Sequence, residues 1–213
     1  MQLSEKYRPK RIKDFAGLNR AKAVFGNLAA KPYASAWLLA GPSGTGKTCL
    51  ALALAEEIDG QLIHVPAADC SVDKVRWIRE VTACTPMFGA FYVVVVDECD
   101  RMSPAARVAF LSLLDSTGMP DNTIFVFTSN ETPDPADRFV SRCKVLMFDG
   151  QVEPASAMEY LYRIWYKEAP EGAELPAILA SSEIRTRLSD KSGNIRSYLN
   201  DLEMELMCVA VAA

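Results

Sequence analysis

The sequence predicts an α/β fold, with a parallel five-stranded sheet flanked by helices and followed by a small all-helical unit. Three features of the 213 residues predict it. Short apolar segments alternate with helical segments up to about residue 150. A glycine-rich segment joins the first of these apolar segments to a helix, and beyond residue 150 only helical periodicity continues. We therefore expect two domains, residues 1–150 and residues 151–213.

Strands and helices alternate along the first predicted domain. The expected strands are residues 36–40, 61–66, 91–97, 123–128 and 144–148. The expected helices are residues 20–30, 47–58, 72–83 and 104–116. Residues 92–96 form a continuous apolar run, which is typical of a central parallel strand buried on both faces. This alternation favours a parallel sheet with helices on both sides.

The second predicted domain has helical periodicity throughout. Its expected helices are residues 154–167, 175–189 and 194–211. Breaks between helices are expected at Pro170, Gly172 and Gly193, and a short linker is expected near Gly150. We interpret this unit as a small domain beside the sheet.

Residues 41–48 have the sequence Gly-Pro-Ser-Gly-Thr-Gly-Lys-Thr between a predicted strand and a predicted helix. The backbone N–H groups of such a loop converge on phosphate oxygens at the helix N-terminus. A glycine-rich turn that binds nothing is the alternative, but the flanking strand and helix favour a phosphate-binding loop. The predicted nucleotide contacts here are Gly41, Pro42, Ser43, Gly44, Thr45, Gly46, Lys47, Thr48 and Cys49.

The residue types of this loop suit a nucleoside triphosphate such as ATP. Gly44 and Gly46 let the backbone approach the phosphates without a Cβ. Lys47 places a positive charge on the β- and γ-phosphates, and the Thr48 hydroxyl is a ligand for Mg²⁺. We therefore expect ATP and Mg²⁺ as cofactors.

Two acidic residues, Asp97 and Glu98, end the apolar run about fifty residues after Lys47. They emerge at the carboxyl end of a predicted parallel strand, where the ligand sites of open α/β sheets lie. Asp97 is placed to hold Mg²⁺, and Glu98 is placed to polarise an attacking water. The sequence thus predicts nucleotide hydrolysis at this edge of the sheet.

Composition limits the other possibilities. The formal net charge of −4 gives no overall basic field that would attract DNA. No apolar run approaches the roughly twenty residues that span a bilayer, so we expect a cytoplasmic protein without membrane contact. The six cysteines lack a Cys-x-x-Cys pair, so we expect reduced, mostly buried thiols rather than a zinc site. His64, in a predicted strand, is interpreted as structural.

Six segments in this order resemble the small ATPase subunit of sliding-clamp loaders, the replication factor C branch of the AAA+ superfamily, including phage clamp loaders. The segments are Glu5-Lys6-Tyr7-Arg8-Pro9, the phosphate loop, Asp97-Glu98-Cys99-Asp100, Ser129-Asn130, Ser141-Arg142-Cys143 and Gly193-Asn194-Ile195-Arg196. The resemblance covers nearly the whole chain. It implies an AAA+ P-loop NTPase domain followed by a helical lid domain.

The resemblance also implies roles for residues outside the loop. Tyr7, Arg8 and Pro9 would border the adenine. Asn130 would orient the attacking water or touch the γ-phosphate, a task that suits an uncharged amide; without the resemblance, Asn130 reads as a turn cap. Arg196 would reach the γ-phosphate from the lid. Arg142 would act on the ATP of a neighbouring subunit, as an arginine finger. Otherwise both arginines are ordinary solvated side chains.

A local basic cluster is the predicted DNA contact. Arg76 and Arg79 are one turn apart on a predicted helix and share a face. The resemblance implies that this helix follows the duplex backbone, whereas a solvated helix face is the alternative. Clamp loaders usually have Gln near position 107 and an arginine pair near positions 111 and 112. This chain has Arg107, Leu111 and Ser112. Arg107 is therefore a further candidate phosphate contact.

The sequence favours an ATPase subunit of a sliding-clamp loader. Its expected partners are primer–template DNA, a sliding clamp, and like or related AAA+ subunits. Clamp-loader subunits continue into a helical collar, whereas this sequence stops at Ala213, so a trimmed form, a natural short form and another mode of assembly all stay open. The alternatives are an initiator, a helicase loader or a recombination-associated ATPase of the same superfamily. An ATP-binding scaffold with little turnover is a further alternative.

Overall fold

The sheet has the predicted form. A computed structural model describes residues 2–115, 117–148, 154–170, 172–176, 179 and 194–212. Its strands are Ser35–Ala40 (β1), Gln61–Pro66 (β2), Tyr92–Asp97 (β3), Thr123–Ser129 (β4) and Lys144–Met147 (β5). They form one five-stranded sheet in the order β2-β3-β4-β1-β5, and every pair is parallel. The predicted α/β class is confirmed.

The helices lie close to their expected positions. They are Leu3–Lys6 (α1), Asn19–Ala30 (α2), Lys47–Glu57 (α3), Val72–Thr82 (α4), Pro104–Leu114 (α5), Pro154–Glu168 (α6) and Ile195–Ala212 (α7). Short 3₁₀ turns lie at Ile12–Asp14, Ala67–Asp69, Cys99–Arg101 and Val140–Arg142. The sequence did not predict α1. The expected helix at residues 175–189 lies almost wholly outside the described residues, as do Gly150 and Gly193.

Both faces of the sheet are covered, as its apolar strands require. Alternate residues of β3 enter different cores: Val94 and Val96 pack with α4 and α5, whereas Val93 and Val95 pack with α2 and α3. All four valines are fully buried. A parallel sheet whose central strands lack a polar face must be sandwiched in this way.

Side-chain caps fix the starts of α4 and α5. The Ser71 hydroxyl accepts from the Lys74 N–H at 3.1 Å, and the Ser103 hydroxyl accepts from the Ala106 N–H at 3.2 Å. Pro104 occupies the first turn of α5, where its missing N–H costs nothing. These caps orient the two helices that carry the predicted DNA contacts.

A third core lies apart from the sheet. Leu3 of α1, Ile164 and Trp165 of α6, and Leu199 and Leu202 of α7 are buried together. The N-terminal helix therefore packs with the last helices of the chain. The division at residue 150 stays a prediction, because residues 149–153 lie outside the described part of the chain. Among the described helices, none has the length and apolar character needed to cross a bilayer.

Candidate nucleotide-binding site

A cavity of about 620 Å³ lies at the carboxyl ends of β1, β3 and β4. This edge of an open parallel sheet is where ligands bind. The cavity is lined by the phosphate loop, by the segment around α1, and by the first turns of α7. The predicted contacts that line it are Tyr7, Arg8, Pro9, Ser43, Gly44, Thr45, Gly46, Lys47, Thr48, Cys49, Asp97, Glu98, Asn130 and Arg196.

Glycine is required within the loop. Gly44 has φ +79° and Gly46 has φ +95°, both in the region that L side chains rarely adopt. A Cβ on Gly44 would also lie 2.0 Å from Oδ1 of Asn194, which caps α7. The loop is thus closely covered by the start of α7. Sequence reasoning noted Asn194 only as part of a motif and missed this contact.

Lys47 lies at the centre of the loop. Its Nζ donates to the carbonyl oxygens of Gly41 and Pro42 at 2.7 and 2.8 Å, and to Oδ1 of Asn130 at 3.0 Å. Burial lowers the pKa of Lys47, and the nearby Asp100 carboxylate opposes this shift. Repulsion from Arg196 lowers the pKa of Lys47 further. Two predicted γ-phosphate contacts, Asn130 and Arg196, therefore line the same cavity as the loop lysine.

Asp97 faces the first turn of α3. Its Oδ1 accepts from the Thr48 hydroxyl at 2.7 Å and from the Thr128 hydroxyl at 3.1 Å, and its Oδ2 contacts Nε2 of His64. Burial raises the pKa of Asp97, but the hydrogen bonds from His64 and Thr48 outweigh burial and hold the pKa below its usual value. The carboxylate is therefore ionised at neutral pH. Its approach to the Thr48 hydroxyl gathers the hard oxygen ligands that Mg²⁺ prefers.

His64 and Thr128 were not predicted as part of the site. His64 was interpreted as structural, yet its ring contacts the expected Mg²⁺ ligand. Both residues come from strands beside β3: Pro66 of β2 pairs with Asp97, and Phe127 of β4 pairs with Val96. Only this register brings them to Asp97. Strand spacing along the chain does not reveal register.

Glu98 leaves the strand in a left-handed conformation, with φ 56°. Its N–H donates to the Thr128 hydroxyl at 3.0 Å, and its Oε2 pairs with Nη1 of Arg101 at 3.1 Å. Beyond it, Oδ1 of Asp100 accepts from the N–H of Asn130 at 3.1 Å. The β3 and β4 ends are thus tied together, and Glu98 and Asn130 lie in the same cleft.

The segment after α1 lies against the last turn of α6. The Tyr7 hydroxyl donates to Glu168, Nζ of Lys6 pairs with Glu168 at 2.7 Å, and the Tyr160 hydroxyl donates to the Tyr7 carbonyl at 2.6 Å. Burial, followed by the bond to Glu168, raises the pKa of Tyr7 to about 12. The hydrogen bond from Lys6 lowers the pKa of Glu168. These contacts hold the segment containing Tyr7, Arg8 and Pro9 at the cleft.

Arg142 lies elsewhere. It ends the 3₁₀ turn before β5, whose first residue, Lys144, pairs with Trp37 of β1. The phosphate loop starts four residues beyond Trp37, about 13 Å along the strand at 3.3 Å per residue. Arg142 thus lies toward the amino edge of the sheet, opposite the loop. It is also absent from the described residues that line the cavity.

The predicted DNA contacts lie outside the cavity and have partners within the chain. Arg76 is 71% exposed and pairs with Asp73 at 3.1 Å. Arg79 donates to the Ser112 hydroxyl at 2.6 Å. Arg107 pairs with Asp137 at 3.2 Å, and its guanidinium lies 5.3 Å from the centre of the Phe139 ring. The contact of each arginine with DNA stays a prediction.

The cysteines are more exposed than expected. Cys70 and Cys99 are buried, but Cys84 and Cys208 lie at the surface, and Cys49 and Cys143 are half-buried. All six are free. Cys84 lies in the turn after α4, and Cys208 lies on an exposed face of α7.

A parallel sheet, a phosphate loop before α3, and an ionised carboxylate at the end of β3 define a nucleoside-triphosphate-binding protein of the P-loop class. Residues 37–150 match the ATPase family associated with various cellular activities (AAA), and the chain belongs to that family. Within it, the sequence is related to large and small subunits of replication factor C.

The similarity to these relatives extends over most of the chain. It is 31% identical to the replication factor C large subunit of Methanococcus maripaludis, over 93% of this chain and 41% of that protein. It is 30% identical to replication factor C small subunit 1 of Pyrobaculum aerophilum, over 94% of this chain and 60% of that protein. The chain therefore spans about half the length of the curated relatives it matches.

Solved structures agree on the fold. RuvB from Thermotoga maritima superposes with a TM-score of 0.64 at 20% identity, covering 76% of this chain and 54% of RuvB. A DNA polymerase III gamma subunit-related protein from the same organism gives a TM-score of 0.52 at 16% identity, covering 70% of this chain and 52% of that protein. At these identities the likeness shows the fold alone.

Proposed function

We propose that the chain is an ATP-hydrolysing subunit of a sliding-clamp loader, which works at the interface between neighbouring subunits. The observation that carries this proposal is the separation of the predicted site residues. One cavity is lined by Lys47, Asp97, Glu98, Asn130 and Arg196. Arg142 lies toward the opposite edge of the sheet. The first group binds a nucleotide, and the second is available to a different subunit.

The cavity suits ATP with Mg²⁺. The hydroxyl of Thr48 and the carboxylate of Asp97 would hold the metal, since both are oxygen ligands 2.7 Å apart. When bound, the metal would neutralise part of the negative charge of the phosphates. Lys47 would exchange its bonds to the loop carbonyls for bonds to the phosphates. Because those carbonyls keep Lys47 in place beforehand, little reorganisation is needed.

Hydrolysis requires a base beside the γ-phosphate. Glu98 would leave its exposed ion pair with Arg101 and accept a proton from the attacking water. Asn130 would orient that water, because its backbone is fixed by Asp100 and its amide already lies 3.0 Å from Lys47. Arg196 would neutralise charge from the side of α7. Each role is filled by a residue that lines the cavity.

The position of Arg142 supports completion of the site by a neighbour. β1 separates Arg142 from the phosphate loop, and the extended side chain of an arginine is shorter than this strand. Arg142 therefore cannot reach a nucleotide bound to its own subunit. A second AAA subunit whose cleft faces this edge would receive the guanidinium. Such an arginine spreads charge away from the transferring phosphoryl group. Turnover would then depend on assembly.

Two exposed surfaces suit the expected partners. Arg76 and Arg79 lie on one face of α4, where they would contact phosphates of primer–template DNA regardless of sequence. In the loop between α4 and β3, Met87 is 80% exposed and Phe88 is 68% exposed. An exposed apolar pair of this kind favours contact with another protein, here the sliding clamp.

The test measures ATP turnover per subunit over a wide range of protein concentrations, with and without primed DNA and a purified sliding clamp from the same organism. We expect turnover to rise with concentration and to rise further with DNA and clamp. Arg142→Ala should remove the concentration-dependent part, about a thousandfold at saturation, while ATP affinity is retained. Replacing both Met87 and Phe88 by alanine should abolish stimulation by the clamp but not by DNA.

A fast rate that is flat with dilution and survives Arg142→Ala would overturn the role of the subunit interface. Stimulation by DNA without any effect of the clamp would instead favour an initiator, a helicase loader or a recombination-associated ATPase. ATP binding with negligible turnover under every condition would favour the scaffold.

A further inference from the structure

The Arg142 side chain is held by two acceptors of its own chain. Its Nε donates to Oδ1 of Asp115 at 2.7 Å, and its Nη1 donates to the carbonyl oxygen of Arg138 at 2.8 Å. The side chain of Arg142 is 23% exposed and that of Asp115 is 48% exposed. An arginine expected to reach a neighbouring molecule is therefore oriented before any neighbour arrives.

The geometry of these bonds leaves the outer part of the guanidinium available. Arginine has five N–H donors in a rigid fork. The two bonds to Asp115 and Arg138 use the Nε–H and one Nη1–H. Three Nη donors remain, and two of them can bind two oxygens of one phosphoryl group. Asp115 thus occupies the edge of the fork that is not needed for phosphate.

Asp115 is itself anchored. It follows α5 directly, and its carbonyl oxygen accepts from the N–H groups of Gly118 and Met119 at 2.8 and 3.0 Å. One turn earlier, the Ser112 hydroxyl accepts from Arg79 at 2.6 Å, which holds this end of α5 against α4. The carboxylate therefore projects from a fixed point of the backbone.

Stability does not explain this contact. A partly exposed ion pair contributes little to folding, because water and salt screen it. Orientation is far more consequential at a reacting centre, where a displacement of about 1 Å can lower the rate roughly a hundredfold. The effect of Asp115 should thus be found in turnover and not in the folding equilibrium.

We propose that Asp115 is a positioning residue that orients the Arg142 guanidinium toward the ATP of the neighbouring subunit. This inference rests on the proposed function of Arg142 in trans. Asp115 is not among the described residues that line the nucleotide cavity. Its carboxylate selects one rotamer of Arg142, so that the phosphate-binding donors face outward when two subunits meet.

The test uses a mixture of two variants that each lack fast turnover. Lys47→Ala subunits cannot use their own site but supply Arg142, whereas Arg142→Ala subunits have an intact site but no finger. In the mixture, fast ATP hydrolysis occurs only where the first variant meets the second. Adding Asp115→Ala to the Lys47→Ala subunit should lower the kcat of the mixture roughly tenfold to a hundredfold with KM unchanged. The same change in the Arg142→Ala subunit should have no effect.

Two further variants keep the outcome decisive. Asp115→Glu in the Lys47→Ala subunit should restore part of the lost kcat, because it returns a carboxylate to Nε. Asp115→Ala in the otherwise unchanged chain should leave ATP affinity and the thermal midpoint unaltered. If the parent mixture has no activity, the proposed function fails. If it is active and Asp115→Ala in the Lys47→Ala subunit leaves kcat unchanged, the positioning role alone is wrong.

Discussion

The phosphate end of the cleft and the outer helix α4 carry charged residues in contrasting surroundings. In the cleft, Lys47 is buried and Asp97 is half-buried, and each makes several hydrogen bonds that fix its position. On α4, Arg76 is exposed and has a single ion pair with Asp73. The cleft residues are held by contacts within the chain, whereas the helix surface would acquire a function only with a partner.

This difference determines what a substitution should do. A buried group with several partners affects one defined chemical step, and its loss is not replaced by water. An exposed arginine acts through a screened field, so its loss is graded and depends on salt. Four variants test this contrast, in decreasing order of expected effect.

Lys47→Ala should abolish ATP binding. The ammonium group is held by two carbonyl oxygens of the loop and by Oδ1 of Asn130, and it would meet the phosphates of the bound nucleotide in its ground state. Titration with a fluorescent ATP analogue measures this directly. Lys31→Ala, at an exposed lysine after α2, is the matched control and should bind normally. Retained ATP affinity in Lys47→Ala would remove the loop from the site.

Glu98→Gln should leave ATP affinity unchanged and lower turnover about a hundredfold or more. A general base acts on the water in the transition state, and removal of such a group typically costs at least that factor. Single-turnover hydrolysis measures the chemical step, and Glu80→Gln on the surface of α4 serves as the control. Hydrolysis at the normal rate in Glu98→Gln would show that the base lies elsewhere.

The phosphate loop, β3 and the Asp97-Glu98 pair could be predicted because their signals are local. A glycine pattern between strand and helix, and a run of valines, each fix their own conformation. The positions of three residues could not be predicted from the sequence: His64, Thr128 and Asp115. Their positions depend on strand register and on how the end of α5 meets the turn before β5, and neither is encoded in neighbouring residues.

Replacing both Arg76 and Arg79 by alanine should weaken DNA binding equally at every sequence. Each lost phosphate contact should reduce the slope of log affinity against log salt by roughly one, so the pair should reduce it by one to two. The ion pair with Asp73 and the bond to Ser112 are exposed, and phosphates can replace them. Fluorescence anisotropy over a salt series gives the slope, with Arg20→Ala on α2 as control. An unchanged slope would leave α4 as a solvated face.

The smallest effect is expected where the segment after α1 meets α6. Lys6 and then Tyr7 donate to Glu168 and hold its pKa below its usual value, so the folded protein binds its proton less readily than the unfolded chain does. The stabilisation is therefore present above the unfolded pKa of about 4.3 and is lost as pH falls through the folded pKa. A partly exposed pair of this kind contributes about 1 kcal/mol or less.

Glu168→Gln keeps the shape of the side chain and removes its titration. Urea unfolding from pH 7 down to pH 3 should show a smaller loss of stability in this variant than in the unchanged chain. Glu159→Gln, on the exposed face of the same helix α6, should retain the full loss. Because the segment that contains Tyr7 also lines the nucleotide cavity, ATP affinity should weaken over the same acidic range in the unchanged chain. Parallel pH profiles for all three proteins would show that the contact with Glu168 does not hold this rim of the cleft in place.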